Sequence, residues 1–135
     1  MMLAFALAIF VPQADAQRDL RNFEIAELEP DTIADAGTVT FLYPAYADDN
    51  YDLTWQVQAS NVSGTTAGTA NLQYTLDKDG VGPWFTAHTW TFAAAGDTTF
   101  VIRDFPGVRA RMQVVGTGTQ SSPVNNWVRW LKVKD

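Results

Sequence analysis

The sequence predicts an all-β protein, a single antiparallel sandwich of about eight strands. Apolar and polar residues alternate in short runs from Tyr51 to Lys134, and Gly, Asn, Asp, Ser, Thr or Pro closes each run. Outside an apolar N-terminal segment, nothing supports a helix longer than a turn or two. A two-residue period places successive side chains on opposite faces of a strand, so each run offers one face to a core and one to water. Regular turn signals at this spacing suit either a jelly roll or an immunoglobulin-like sandwich.

The elements follow in order. Residues 1–17 form an apolar N-terminal segment, and residues 18–135 form the sandwich domain. The apolar run begins at Met1 and ends at Val11, and Ala14-Asp15-Ala16 has the small-x-small form of a signal-peptidase site, although no Lys or Arg precedes it. It reads as a cleaved signal, as an arm or membrane-contacting anchor retained in an assembly, or as an upstream translation artefact. Eleven apolar residues fall short of the ~20 that span a bilayer.

Residues 23–28 are expected to form the first strand, ended by Pro30-Asp31, and residues 38–43 the second, closed by Pro44. The clearest strand is 51–59, with Leu53, Trp55, Val57 and Ala59 on one face and Thr54, Gln56 and Gln58 on the other. After the small-residue loop 61–68 comes a strand whose inward residues are Ala70, Leu72, Tyr74 and Leu76, and the two are expected to pair as a hairpin. The turn Asp77-Lys78-Asp79-Gly80 leads to an aromatic strand over 84–92. A short strand at 100–102, an alternating one at 108–114 and a closing one at 125–133 complete the domain.

Composition narrows function more by exclusion than by motif. The chain has no Cys and one His, and a formal charge of −6. Clustered Lys and Arg are needed to hold phosphates, so nucleic acid is not an expected partner. His88 shares its expected face with Thr86 and Trp90, and no nucleophile or second imidazole can be placed beside it from spacing. Asp77, Asp79 and Gly80 begin like a calcium loop but lack its closing Glu, because position 88 is His. They read as a polar turn, as do Asp48, Asp49 and Asp52, the other acidic group that calcium would need. No catalytic residue, cofactor or metal is expected, and the chain reads as non-enzymatic. Asn61-Val62-Ser63 fits the glycosylation sequon, which matters only in a host that modifies it.

Five Trp remain to be assigned. Trp55 has inward parity. Trp127 and Trp130 have opposite parity, so at least one leaves the core and meets a partner, either another protein or a sugar. Arg109, Arg111 and Arg129 lie on polar faces of two strands and are the candidate ionic partners of acidic turns on a neighbouring subunit, against the plainer reading of solvated strand faces. Together Trp127, Trp130, Arg109, Arg111 and Arg129 form the candidate interface.

Residues 18–135 resemble small β-sandwich virion structural proteins of tailed and related bacteriophages. The resemblance is carried by RDLRNFEIAELEPDTIADAGT, by LTWQVQASNVSGTTAGTANLQYTLDKDG and by FPGVRARMQVVGTGTQSSPVNNWVRWLKVK. It implies a head decoration, minor capsid or fibre-type subunit, located on the virion, whose partners are other virion proteins and copies of itself. Two alternatives stand beside it: a secreted β-sandwich module that binds a glycan or cell surface, and an extracellular fibre subunit that exchanges its N-terminal segment.

Overall fold

The computed structural model describes residues 23–43 and 51–133, with side chains from residue 26 onward. The N-terminal segment and its membrane contact, together with Pro44, Asp48, Asp49 and Lys134, lie outside the described residues.

Nine strands are formed among the described residues: β1 Phe23–Ala34, β2 Thr38–Leu42, β3 Tyr51–Ala59, β4 Ser63–Gly64, β5 Gly68–Thr75, β6 Phe85–Phe92, β7 Gly96–Ile102, β8 Arg109–Gly116 and β9 Gln120–Lys132. One sheet has the order β1-β9-β3-β7, with β4 also on β9, and the other has the order β2-β8-β5-β6. All pairings are antiparallel. With the two-residue β4 set aside, the first strand pairs with the last, the second with the next to last, and so inward to β5 with β6. That nesting is a long antiparallel ribbon rolled on itself, with successive pairs falling in alternate sheets. The sandwich is therefore a jelly roll, the first of the two architectures that the strand spacing allowed.

The nesting overturns one expectation. β3 and β5 were expected to form a hairpin, but β3 lies between β9 and β7, and β5 lies between β8 and β6 in the opposite sheet. The chain crosses between sheets in the link from β4, which still pairs with β9, to β5, which pairs with β6 and β8.

The inward faces meet as the alternation requires. Leu53, Trp55 and Val57 of β3 and Val124 and Val128 of β9 face Ala70 and Leu72 of β5 and Ala110, Met112 and Val114 of β8, all at most 1% exposed. Each Leu, Val or Met so buried stabilises the fold by roughly 1.5–3 kcal/mol relative to exposure, before the entropy of ordering is subtracted.

The strand expected at 100–102 begins earlier, at Gly96, and three further boundaries differ from expectation for local reasons. β1 continues past Pro30 to Ala34, because a register shift between Leu28 and Asp31 takes Pro30 out of the ladder. β9 begins at Gln120 and runs through Pro123, whose carbonyl accepts from Ser60 N at 2.9 Å. A residue in an antiparallel ladder points its N–H and C=O to the same side, so the absent N–H faces the gap between β3 and β4 and costs no bond to β1. β5 stops at Thr75, which leaves Leu76 at 64% exposure instead of on the inward face.

One end of the sandwich is tied by Gln120, a 4% exposed side chain. Its Nε2 donates to the carbonyls of Ala67 at 2.6 Å and of Asp35 and Thr117 at 3.2 Å. Its Oε1 accepts from Ala67 N at 3.2 Å and Ser122 Oγ at 2.9 Å. Gly116 closes the same knot, for a Cβ there would lie 2.4 Å from Asp35 O and 2.5 Å from Ile33 Cγ2. Gly116→Ala is expected to lower the thermal midpoint sharply, at a cost of roughly 2 kcal/mol or more, because backbone lies on one side and a fully buried Ile on the other. A midpoint unchanged in a thermal melt would contradict that packing.

Candidate functional site

β9 alternates without a break, and this decides where its two Trp go. Val124, Asn126, Val128 and Trp130 point inward, while Trp127 and Arg129 point outward. Trp130 is 5% exposed and packs edge-on against Phe105 at 4.9 Å and Tyr51 at 5.7 Å, with Tyr43 tilted at 5.2 Å. It belongs to the core, which leaves Trp127 as the outward ring of the pair. Trp55 is fully buried, and its Nε1 donates to Asn126 Oδ1 at 2.8 Å.

Trp127 sits half-buried on the outer face of the first sheet. Register sets its neighbours: Glu27 of β1 lies opposite on one side and Gln56 of β3 on the other, and Gln56 in turn faces Thr99 of β7. In the adjoining rows Arg129 faces Thr54, and Asn125 faces Gln58, which faces Asp97. Between them lies an open groove of about 190 Å3 lined by Thr54, Gln56, Thr99, Trp127, Val128 and Arg129. The flanking side chains are amides, hydroxyls and one guanidinium on β9 and β3 in the middle of the sheet, with the carboxylates of Glu27 and Asp97 and the Thr99 hydroxyl on β1 and β7 to either side.

The other two arginines are not part of this face. Arg109 and Arg111 project from β8 on the outside of the second sheet. The Arg111 guanidinium lies 4.2 Å over the Trp84 ring, and its Nε donates to Gln73 Oε1 at 2.7 Å. Burial lowers its pKa from the ordinary arginine value, which leaves it charged at neutral pH. The stack was hidden from sequence because Trp84 and Arg111 are far apart in the chain and only the β5 ladder brings their strands together.

His88 lies on the edge strand β6 and stacks on Phe100 at 5.5 Å, with ring planes 8° apart. Thr86 was expected on the same face, but a register shift puts His88 across from inward Leu72 and Thr86 across from outward Gln73. Ala87 is the extra residue, and it reverses the parity. Among the described residues no group of three or more His, Cys, Asp or Glu is placed to hold a metal.

The acidic turn is organised by Asp77. Its Oδ1 accepts from Asp79 N at 3.0 Å, and its Oδ2 from Gly82 N at 2.6 Å and Val81 N at 3.1 Å. These N–H donors hold the carboxyl below the ordinary aspartate range, Asp79 most and then Gly82, with Arg109 adding a smaller attraction and desolvation partly opposing. A depressed folded-state pKa contributes stability that is full above the unfolded value and fades as pH falls through the folded one. Asp77→Asn is therefore expected to flatten the acid limb of a urea-midpoint curve below about pH 4, and an acid limb identical to that of the parent would refute it. Asp52 Oδ1 similarly accepts from Asp104 N at 3.0 Å, and Asn61 Nδ2 donates to Gly64 O and Thr66 Oγ1, both at 2.9 Å, so the sequon asparagine clasps its own turn.

No family model matches the chain, and no curated protein matches it. Solved structures similar to it include a Bacillus endospore appendage protein from a family of disulfide-linked pili, at 15% identity and TM-score 0.47, covering 83% of this chain and 91% of that one. The enzymatically active domain of bacteriophage CBA120 tailspike protein 4 is similar at 12% identity and TM-score 0.49, covering 90% of this chain and 21% of that longer one. The CBM36-1 domain of a multidomain xylanase from the hindgut metagenome of Trinervitermes trinervoides is similar at 12% identity and TM-score 0.46, covering 84% of this chain and all of that one.

Proposed function

We propose that the chain is a non-enzymatic structural protein of a bacteriophage particle, a decoration or minor capsid subunit that assembles through the surface of its jelly roll. The observation that carries this reading is the outer edge of β7. Its sequence, GDTTFVI, contains no Lys and no Pro, its ladder with β3 runs without a bulge, and its outward Val101 is 51% exposed. Edges left without lysine, proline or irregularity are templates for pairing with another chain, and beyond Asp97 near its start β7 carries no charge. Here the natural partner is a second copy or a neighbouring virion protein, with charge complementarity between Arg129 and acidic turns setting register. Many weak contacts in a lattice then add by avidity.

The test is composition. Purified particles of the phage that encodes the chain are expected to contain it at stoichiometric copy number by quantitative mass spectrometry, and its absence from them ends the reading. Thr99→Lys together with Val101→Lys is expected to abolish incorporation while leaving the monomer folded by circular dichroism.

The second reading, a secreted module for glycan or cell surface, is favoured by a different observation: the half-buried Trp127 ring surrounded by amides and hydroxyls on the outer face of the first sheet.

A further inference from the structure

We infer that the groove beside Trp127 binds a short chain of gluco-configured pyranose rings. The inference takes up the glycan side of the second reading and holds whether the chain sits on a particle or is secreted.

The platform is suited to it. Trp127 is half-buried on a strand paired on both sides, so its backbone position is fixed, and its side chain lines an open, largely apolar groove. Polar groups that could meet vicinal hydroxyls lie beside it: the Gln56 amide, the Thr54 and Thr99 hydroxyls and the Arg129 guanidinium. The row Glu27, Trp127, Gln56, Thr99 crosses four strands, and strands lie about 4.8 Å apart, so it extends for about 14 Å. That length takes an oligosaccharide more readily than a single sugar.

Other occupants fit less well. A protein interface needs about 800 Å2 from each partner around an apolar centre, and Trp127 is ringed by Glu27, Gln56, Asn125 and Arg129. A nucleic acid strand would meet Glu27 and Asp97 on this face as well as Arg129. A gluco-configured ring carries its hydroxyls equatorially, which leaves axial C–H bonds on both faces to lie on the indole while the rim reaches the amides. An axial hydroxyl on the stacked face would meet the ring and lose its water, an uncompensated cost.

Isothermal titration of the full chain with cellohexaose, chitohexaose and mannohexaose tests this. Saturable binding is expected for the first two, with Kd of about 0.1–1 mM for so open a site, and weaker binding for mannohexaose. Trp127→Ala is expected to weaken binding at least about tenfold, with Trp127→Phe between it and the parent. Gln56→Ala is expected to weaken it about fivefold. Circular dichroism of each variant keeps a folding defect apart from lost binding. No saturable binding of cellohexaose or chitohexaose to the folded parent at about ten times the expected Kd overturns the inference, and so does unchanged affinity in folded Trp127→Ala. Particle incorporation of Trp127→Ala separates the two proposals: normal incorporation with lost sugar binding supports both, whereas lost incorporation with no sugar binding by the parent assigns Trp127 to an assembly contact and leaves only the structural reading standing.

Discussion

Replacing Gln120 with leucine is expected to lower the stability of the folded chain by roughly 2–4 kcal/mol, since each buried polar group left without a partner costs about 1–3 kcal/mol. Leucine fills nearly the same volume, so the loss reports hydrogen bonding and not packing. Gln120 is the side chain that joins the turn after β1, the link between β4 and β5 and the turn after β8, through the carbonyls of Asp35, Ala67 and Thr117. The substitution also strands the Ala67 N–H, which donates to Gln120 Oε1. Gln120→Glu is a sharper test. Its second carboxyl oxygen would face those three carbonyls, so its folded-state pKa would be raised above the unfolded value of about 4.3. The defect would therefore be smallest below that value and grow as pH rises through it. Urea midpoints measured across this range check the sign, and a defect independent of pH would show that the carbonyls turn away from the site.

Trp55→Ala is expected to have the largest single effect, a loss of roughly 3–5 kcal/mol, because the ring is fully buried at the centre of β3 and no neighbour is free to refill its space. Its strand partners are Val128 of β9 and Phe100 of β7, both tied into continuous ladders. Trp55→Phe keeps most of the volume but removes the donor to Asn126 Oδ1. Asn126 is itself fully buried, and its Nδ2 has no partner among the described residues. Trp55→Phe in an Asn126→Leu background is accordingly expected to be more stable than either single variant. A double-mutant cycle by urea denaturation should return a coupling of about 1 kcal/mol or more, and strict additivity would mean that the 2.8 Å bond contributes nothing.

Trp55 was legible as a core residue because parity is local: Leu53, Trp55, Val57 and Ala59 differ from Thr54, Gln56 and Gln58 in polarity alone. Parity also showed that one of Trp127 and Trp130 must turn outward, yet it could not say which. The choice rests on β9 continuing its alternation inward from Val124 through Val128, past a proline that sequence treats as a stop. The expected face of His88 failed for the opposite reason, since one extra residue at Ala87 reverses the pattern and bulges leave no distinct mark on polarity. Neither the row from Glu27 to Thr99 nor the stack of Arg111 on Trp84 had a local signal. Both are products of register between strands far apart in the chain.

What the sequence determined by itself was the kind of secondary structure and the inward and outward face of most strands. Those follow from short-range polarity and backbone geometry, which act over a few residues. Only the tertiary structure decided that β3 and β5 part into different sheets, that the sandwich is a jelly roll, and that Trp127 shares a face with Gln56 and Arg129 and not with Arg109 or Arg111. Strand pairing is a long-range choice, made by burying every inward face at once, and alternation of period two satisfies many pairings until the whole ribbon is rolled.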